Sequence, residues 1–369
     1  MRRAVWGILL CSAACGRHSE PILIGLAGPL GRAEGQALQR GAELAVHEIN
    51  AAGGIEGRLV ELVIGDDGGN ADSAVAVATA LRAADVIAVI GHGGIAESFA
   101  AATVHADANT PTPLLVPSAM PATIAETGPH VFRLAPTAAE HGTALATWVR
   151  RGLGLQRGMI LFRNDPYGRE IRQAFSARFE AIGGIVAAAF PFLTGRAVEA
   201  AYLEWLLATP GIEFMILAAD VAEAESLLRA LRGAGLELPV LGSESLEGLE
   251  ASGGIAEGIT RTATYLPSHP AAQNQRFVAE YRQAHPDERP PGQLAASAYD
   301  AVYLLRDAAE RARPQRAAVL RVLSQTGREL PPFQGVTGLI TFDEQGGLAP
   351  RPVHIGLIQL GTLVAVERR

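Results

Sequence analysis

Three polar side chains in the second half of the chain share one setting. Tyr167, Asp220 and Glu244 each stand in a loop directly after a short apolar run: Gly158–Phe162, Phe214–Ala218 and Val240–Leu241. Runs of that length and composition read as buried parallel strands. In a doubly wound sheet the loops that follow the strands lie along one edge. Two carboxylates and a phenol on that edge could hold an amine-bearing or cationic group through charge-assisted hydrogen bonds. Solvated loop residues are the plainer alternative. In the first half, Gly91-His92-Gly93-Gly94 follows the run Asp85–Ile90 and opens a helix at Ile95. Free N–H groups at a helix start favour an anionic group such as a carboxylate. A tight turn that only packs is again the alternative.

Other chemistries lack their parts. Gly91–Ala96 fits G-x-G-x-x-A, but the acidic residue expected about 20 positions on is replaced by Pro113–Pro117, so no dinucleotide is expected. His47-Glu48 has no second histidine four residues on, and His92 and His105 have no cysteine or carboxylate at ligand spacing. Asp66-Asp67 reads as a turn after a strand. Gly242-Ser243-Glu244 puts glutamate where a nucleophile elbow needs serine. No nucleophile, base and orienting group assemble, so neither an enzyme, a metal nor a cofactor is expected. All 31 Lys+Arg positions are arginine, which excludes a Walker-A loop and a Schiff-base lysine. A net charge of −7 argues against nucleic acid.

The elements that would carry these residues repeat. Ile22–Ala27, a helix with Leu38, Ala42, Ala45 and Ile49 on one face, and Leu59–Ile64 form a β-α-β unit. Helix Ala71–Ala84, strand Asp85–Ile90, helix Ile95–Ala108 and strands Leu114–Val116 and Val131–Leu134 continue it. The same alternation restarts at Glu140 and runs to Leu241. Later come a crossing strand Thr262–Leu266, helices Asn274–His285, Ala295–Arg311 and Arg316–Leu323, strand Gly338–Phe342 and a hairpin around Gly361. They need sheets already formed. The expectation is an α/β fold of two Rossmann-like lobes with three crossovers. Lobe 1 is 22–135 plus 266–341, lobe 2 is 136–265 plus 342–369, and a ligand cleft lies between them. At the start, Arg2-Arg3, the apolar Ala4–Leu10 and the small Ser12-Ala13-Ala14 form a signal segment over residues 1–14. Cys15 after it fits lipidation, with an ordinary secretory cut near Ala14 as the alternative. No other stretch is apolar and long enough to span a membrane.

From Ile22 onward the chain resembles the type I periplasmic solute-binding proteins of the leucine/isoleucine/valine-binding family. Gly41-Ala-Glu-Leu-Ala-Val-His-Glu-Ile-Asn-Ala-Ala-Gly-Gly-Ile-Glu-Gly, Val116-Pro-Ser-Ala, Tyr167-Gly, Ala298-Tyr-Asp-Ala-Val-Tyr and Gly335-Val-Thr-Gly-Leu-Ile-Thr-Phe-Asp carry the likeness. The resemblance implies two lobes closing like a hinge on a small amino acid or amino-acid-like ligand of branched-chain type. It further implies delivery to an inner-membrane ABC permease, a periplasmic or otherwise extracytoplasmic place, and a monomer. A ligand-sensing receptor of the same fold, or a binder of amides or cationic amines, is the alternative. By the same resemblance Tyr167 matches the family tyrosine of the second lobe, Glu244 receives the ligand ammonium, and the backbone of Ser118 and Ala119 lines the α-amino-acid group. The two hydroxyls that hold the carboxylate fall at Ile95 and Met120, with Ser98 as a substitute if the loop shifts. Asp220 replaces a further tyrosine. With His92, Gly93 and Gly94 these make the candidate ligand set.

Overall fold

The computed structural model describes residues 20–118, 120–192 and 199–366. The signal segment, Cys15 and Ala119 lie outside them. The first sheet is built from β1 (Ile22–Gly28), β2 (Val60–Asp66), β3 (Val89–Ile90), β4 (Leu114–Val116) and β5 (Val131–Arg133), linked by α1 (Ala33–Ala51), α2 (Ala71–Ala83) and α3 (Ile95–His105). All pairs are parallel, in the order β2-β1-β3-β4-β5. Six of the seven β1 residues are buried, as a strand covered on both faces requires.

The second sheet repeats that order. It holds β6 (Arg157–Arg163), β7 (Ile185–Phe192), β8 (Phe214–Ala218), β9 (Val240–Gly242) and β10 (Thr260–Ala263). They run in parallel as β7-β6-β8-β9-β10. Its helices are α4 (Ala138–Thr147), α5 (Pro166–Ala181), α6 (Glu199–Ala208) and α7 (Val221–Gly233). Their starts are set by local chemistry. Thr137 and Glu140 cap α4 reciprocally, and Asp220 and Glu223 do the same for α7. Asp165 accepts from Gly168 N–H ahead of α5, with Pro166 in its first turn. Strand order reverses between β1 and β3, and again between β6 and β8. Each lobe therefore has a switch point where loops part and leave a crevice.

The chain then returns to the first lobe with α8 (Ala272–Ala284), α9 (Gln293–Arg311) and α10 (Arg316–Gln325). Phe277, Leu305 and Leu323 from these helices join Leu26, Ile49 and Phe132 in one core. β11 (Phe333–Gly335) and β12 (Gly338–Ile340) form a separate two-stranded ribbon. Both oxygens of buried Asp300 anchor its turn, accepting from the N–H groups of Val336 and Thr337. Finally β13 (His354–Gln359) and β14 (Thr362–Ala365) extend the second sheet antiparallel from β10.

Two strand expectations shorten. The run Asp85–Ile90 pairs as a ladder only at Val89–Ile90, because Asp85 turns in the left-handed region at φ 57°. The strand expected to reach Phe342 ends at Ile340. Phe342 instead enters the first core, its ring 4.9 Å from that of Phe132, and Leu348 is buried in the same core. Residues 349–353 then lead from the first core to β13 of the second sheet, as a third passage. Arg351 in that passage donates to two first-lobe carbonyls, Leu134 O at 2.6 Å and Thr337 O at 3.3 Å.

Candidate functional site

Ile95, at the start of α3, packs against a core of each lobe, the second of which holds Tyr167. On the first-lobe side, Gly91 follows β3 at φ 145°, and a Cβ there would collide with the Ala27 carbonyl oxygen. Only glycine fits that close approach. His92 Nδ1 lies 2.6 Å from Asp67 Oδ2, and both side chains are fully buried. The second Asp67 oxygen accepts from Gly69 N–H at 2.8 Å. His92 thus braces the loop from within the lobe, and its ring is committed to Asp67. Gly94 caps α3, and the Glu97 carboxylate lies over its α-carbon, in the space a side chain would fill. Ser98 is fully buried and donates to Gly94 O at 2.7 Å. Its hydroxyl is turned back onto the helix, as serines within helices often are. Ser118 Oγ reaches toward Gly93 O at 3.4 Å. Met120 is buried in the first lobe beside Val116 and Ile124. Ile95 itself is half-buried.

On the second-lobe side, Tyr167 stands in the first turn of α5 and is 7% exposed. Its hydroxyl donates to Glu244 Oε1. Burial, then the Glu244 charge, pushes the Tyr167 phenol well above its ordinary value, so it remains a donor. His141 Nδ1 approaches the other Glu244 oxygen at 3.0 Å and Thr262 Oγ1 at 2.8 Å. Asp220 has the plainer role. One oxygen accepts from Glu223 N–H at 2.8 Å, Glu223 answers to Asp220 N–H at 3.1 Å, and Arg163 Nη1 is 3.8 Å from the second oxygen. It caps α7 and does not join the Tyr167–Glu244 pair.

The lobes also meet directly. Glu170 on α5 is held by N–H groups of Ala139 and of Ala122, the latter from the first lobe. Burial raises its carboxyl, and those two bonds work against the rise. Sequence reasoning missed Glu97, His141, Thr262 and Glu170. His141 occupies an apolar helix face and gives no sign that it will meet Glu244. Among the described residues no group of three or more His, Cys, Asp or Glu could hold a metal ion. No helix there is long and apolar enough to cross a membrane.

Two lobes of one topology, each with a switch point at its strand ends, are the architecture of a solute-binding protein. The periplasmic binding protein family model matches residues 21–361, and the chain belongs to that family. It is an extracytoplasmic solute-binding protein, of a family that binds without turnover. The Leu/Ile/Val-binding protein homolog 3 of Brucella melitensis is 26% identical over 363 residues, covering 96% of this chain and 95% of that one. An ABC transporter substrate-binding protein of Desulfitobacterium hafniense, solved in complex with Leu, superposes with a TM-score of 0.81 at 29% identity, covering 94% of this chain and all of that one. The branched-chain amino acid transporter substrate-binding protein of Streptococcus pneumoniae, in complex with isoleucine, gives 0.84 at 25% identity over 94% of this chain and 98% of that one.

Proposed function

We propose that this protein captures an amine-bearing solute of amino-acid size in the cleft between its lobes and hands it to an ABC permease. The lobes are taken as 22–135 with 266–348, and 136–265 with 354–366. The observation that carries the reading is the buried Tyr167–Glu244 pair at the second switch point, opposite the start of α3. Glu244 supplies the charge for an ammonium group, and Tyr167 holds the carboxylate in place. Ser118 and the Gly93–Gly94 backbone line the facing rim. The similar proteins solved with leucine and isoleucine support the size class. Closure follows from the solute touching both lobes at once, since only differential affinity shifts the open–closed balance. Cys15 as a lipid attachment point and a monomeric state belong to the same proposal; mass spectrometry of the mature N-terminus and light scattering test them.

One observation favours a solute whose far end is uncharged, such as an amide. The rim that would take a carboxylate offers Ile95 and Met120, a Ser98 hydroxyl turned back on its helix, and the Glu97 carboxylate over Gly94. A second carboxylate there would meet a like charge. Calorimetry with L-leucine, L-leucinamide and isoamylamine, beside native mass spectrometry of solute retained through purification, tests both readings. Leucinamide binding more tightly than leucine supports the amide reading, and the reverse order restores the amino acid. Glu244→Gln is expected to weaken amine binding about 10- to 100-fold, the worth of a hydrogen bond to a charged group. Unchanged affinity in Glu244→Gln would refute the proposal.

A further inference from the structure

The second acceptor atom of Glu244 has a titratable neighbour. His141 is fully buried on α4, its Nδ1 3.0 Å from Glu244 Oε2 and 2.8 Å from Thr262 Oγ1 on β10. A bare Nδ1 facing a carboxylate oxygen at that distance would set two acceptors against each other. Nδ1 therefore carries its hydrogen, directed at Thr262 Oγ1, which leaves Glu244 Oε2 without a hydrogen-bond partner; Nε2, also buried and without one, is the atom that gains a proton on acidification. We propose that His141 is a positioning residue for Glu244 that links solute capture to a proton: an ammonium group binds Glu244 only when His141 is neutral. This rests on Glu244 as the amine receptor.

The electrostatic surroundings of the ring come from every side. Glu244 and Glu140 favour the imidazolium, while Arg261 on β10 and Arg351 in the third passage oppose it. Burial is the largest influence and lowers the ring below its ordinary value of 6.5. At neutral pH the protein thus places a neutral ring beside Glu244, whose Oε2 has no hydrogen-bond partner of its own. Acidification puts a proton on Nε2 and forms a buried imidazolium–carboxylate pair that cancels the charge an ammonium needs. An arriving ammonium must expel that proton to solvent. Affinity then falls by up to about tenfold for each pH step of one below the ring's titration, one proton being released per solute bound. A histidine that merely filled space would produce no such slope.

The experiment uses the mature chain and isoamylamine, whose only polar group is its ammonium. Calorimetry runs from about pH 5 to about pH 8 on wild type, His141→Asn, Tyr167→Phe and Glu244→Gln. NMR of the ring protons follows His141, identified by its loss in His141→Asn. Wild type should show affinity falling on the acid side. His141→Asn should bind with a flat profile, and Tyr167→Phe should weaken binding while keeping the slope. The His141 ring should titrate still lower in Glu244→Gln, which removes a neighbouring negative charge. A slope that persists in His141→Asn, a flat wild-type profile, or a His141 titration unmoved by Glu244→Gln overturns the proton link and leaves Glu244 as receptor. Binding undiminished in Glu244→Gln, or no binding to wild type at any pH, overturns the receptor reading and the proton link with it.

Discussion

His92 and Asp67 show how buried side chains can brace a strand-end loop from inside a lobe. Both are fully buried and bonded at 2.6 Å, so His92→Ala leaves a carboxylate inside the first lobe without its partner. Leaving a buried acceptor without its donor costs about 1–3 kcal/mol, and urea unfolding of His92→Ala should show a loss of that order. Asp300 gives a pH signature. Burial raises its carboxyl from 3.8 to about 6, against the pull of Thr337, Val336 and Arg351. A carboxyl raised on folding stabilises fully below its unfolded value and loses that contribution as pH rises through its folded value. The displacement corresponds to about 3 kcal/mol. The stability difference between wild type and Asp300→Asn should therefore widen by up to about 3 kcal/mol on going from pH 7 to about pH 4, read by denaturant unfolding at each pH.

Elements translate sequence into placement more faithfully than into orientation. Tyr167 and Glu244 were legible because each follows an apolar run, and β6 and β9 bring both loops to one edge. The repeated alternation of strand and helix likewise made two lobes legible. Side-chain direction was not. The glycines around His92 located the loop, but whether the ring meets solute or Asp67 depends on β2, some 25 residues earlier. Asp220 carried a readable sign, since Asp220-Val-Ala-Glu223 has the spacing of a reciprocal helix cap. The α4–β10 packing sets His141 against Thr262, and the loop after β9 brings Glu244 beside them, which no local pattern encodes. Helix approach makes its own prediction. A Cβ on Gly41 of α1 would strike the Ala295 backbone of α9. Gly41→Ala should cost about 1–3 kcal/mol in thermal unfolding, whereas Gly31→Ala, with open space around it, should be neutral.

For the whole molecule, the passages between lobes decide how it opens. Arg351 ties the third passage to the first lobe through Leu134 O and Thr337 O, and burial lowers its guanidinium to about 10. Arg351→Ala should free the third passage to move apart from the first lobe. Small-angle scattering of the solute-free protein is expected to show a larger radius of gyration than wild type, and an unchanged radius would assign Arg351 to stability alone. The order of the segments has one more consequence. Phe342 and Leu348 complete the first core, and β13 and β14 complete the second sheet. As the chain emerges in order, the first half cannot finish before Leu348 nor the second before β14. A nascent chain stalled in the middle of the message holds no whole lobe, and the two halves mature together after release.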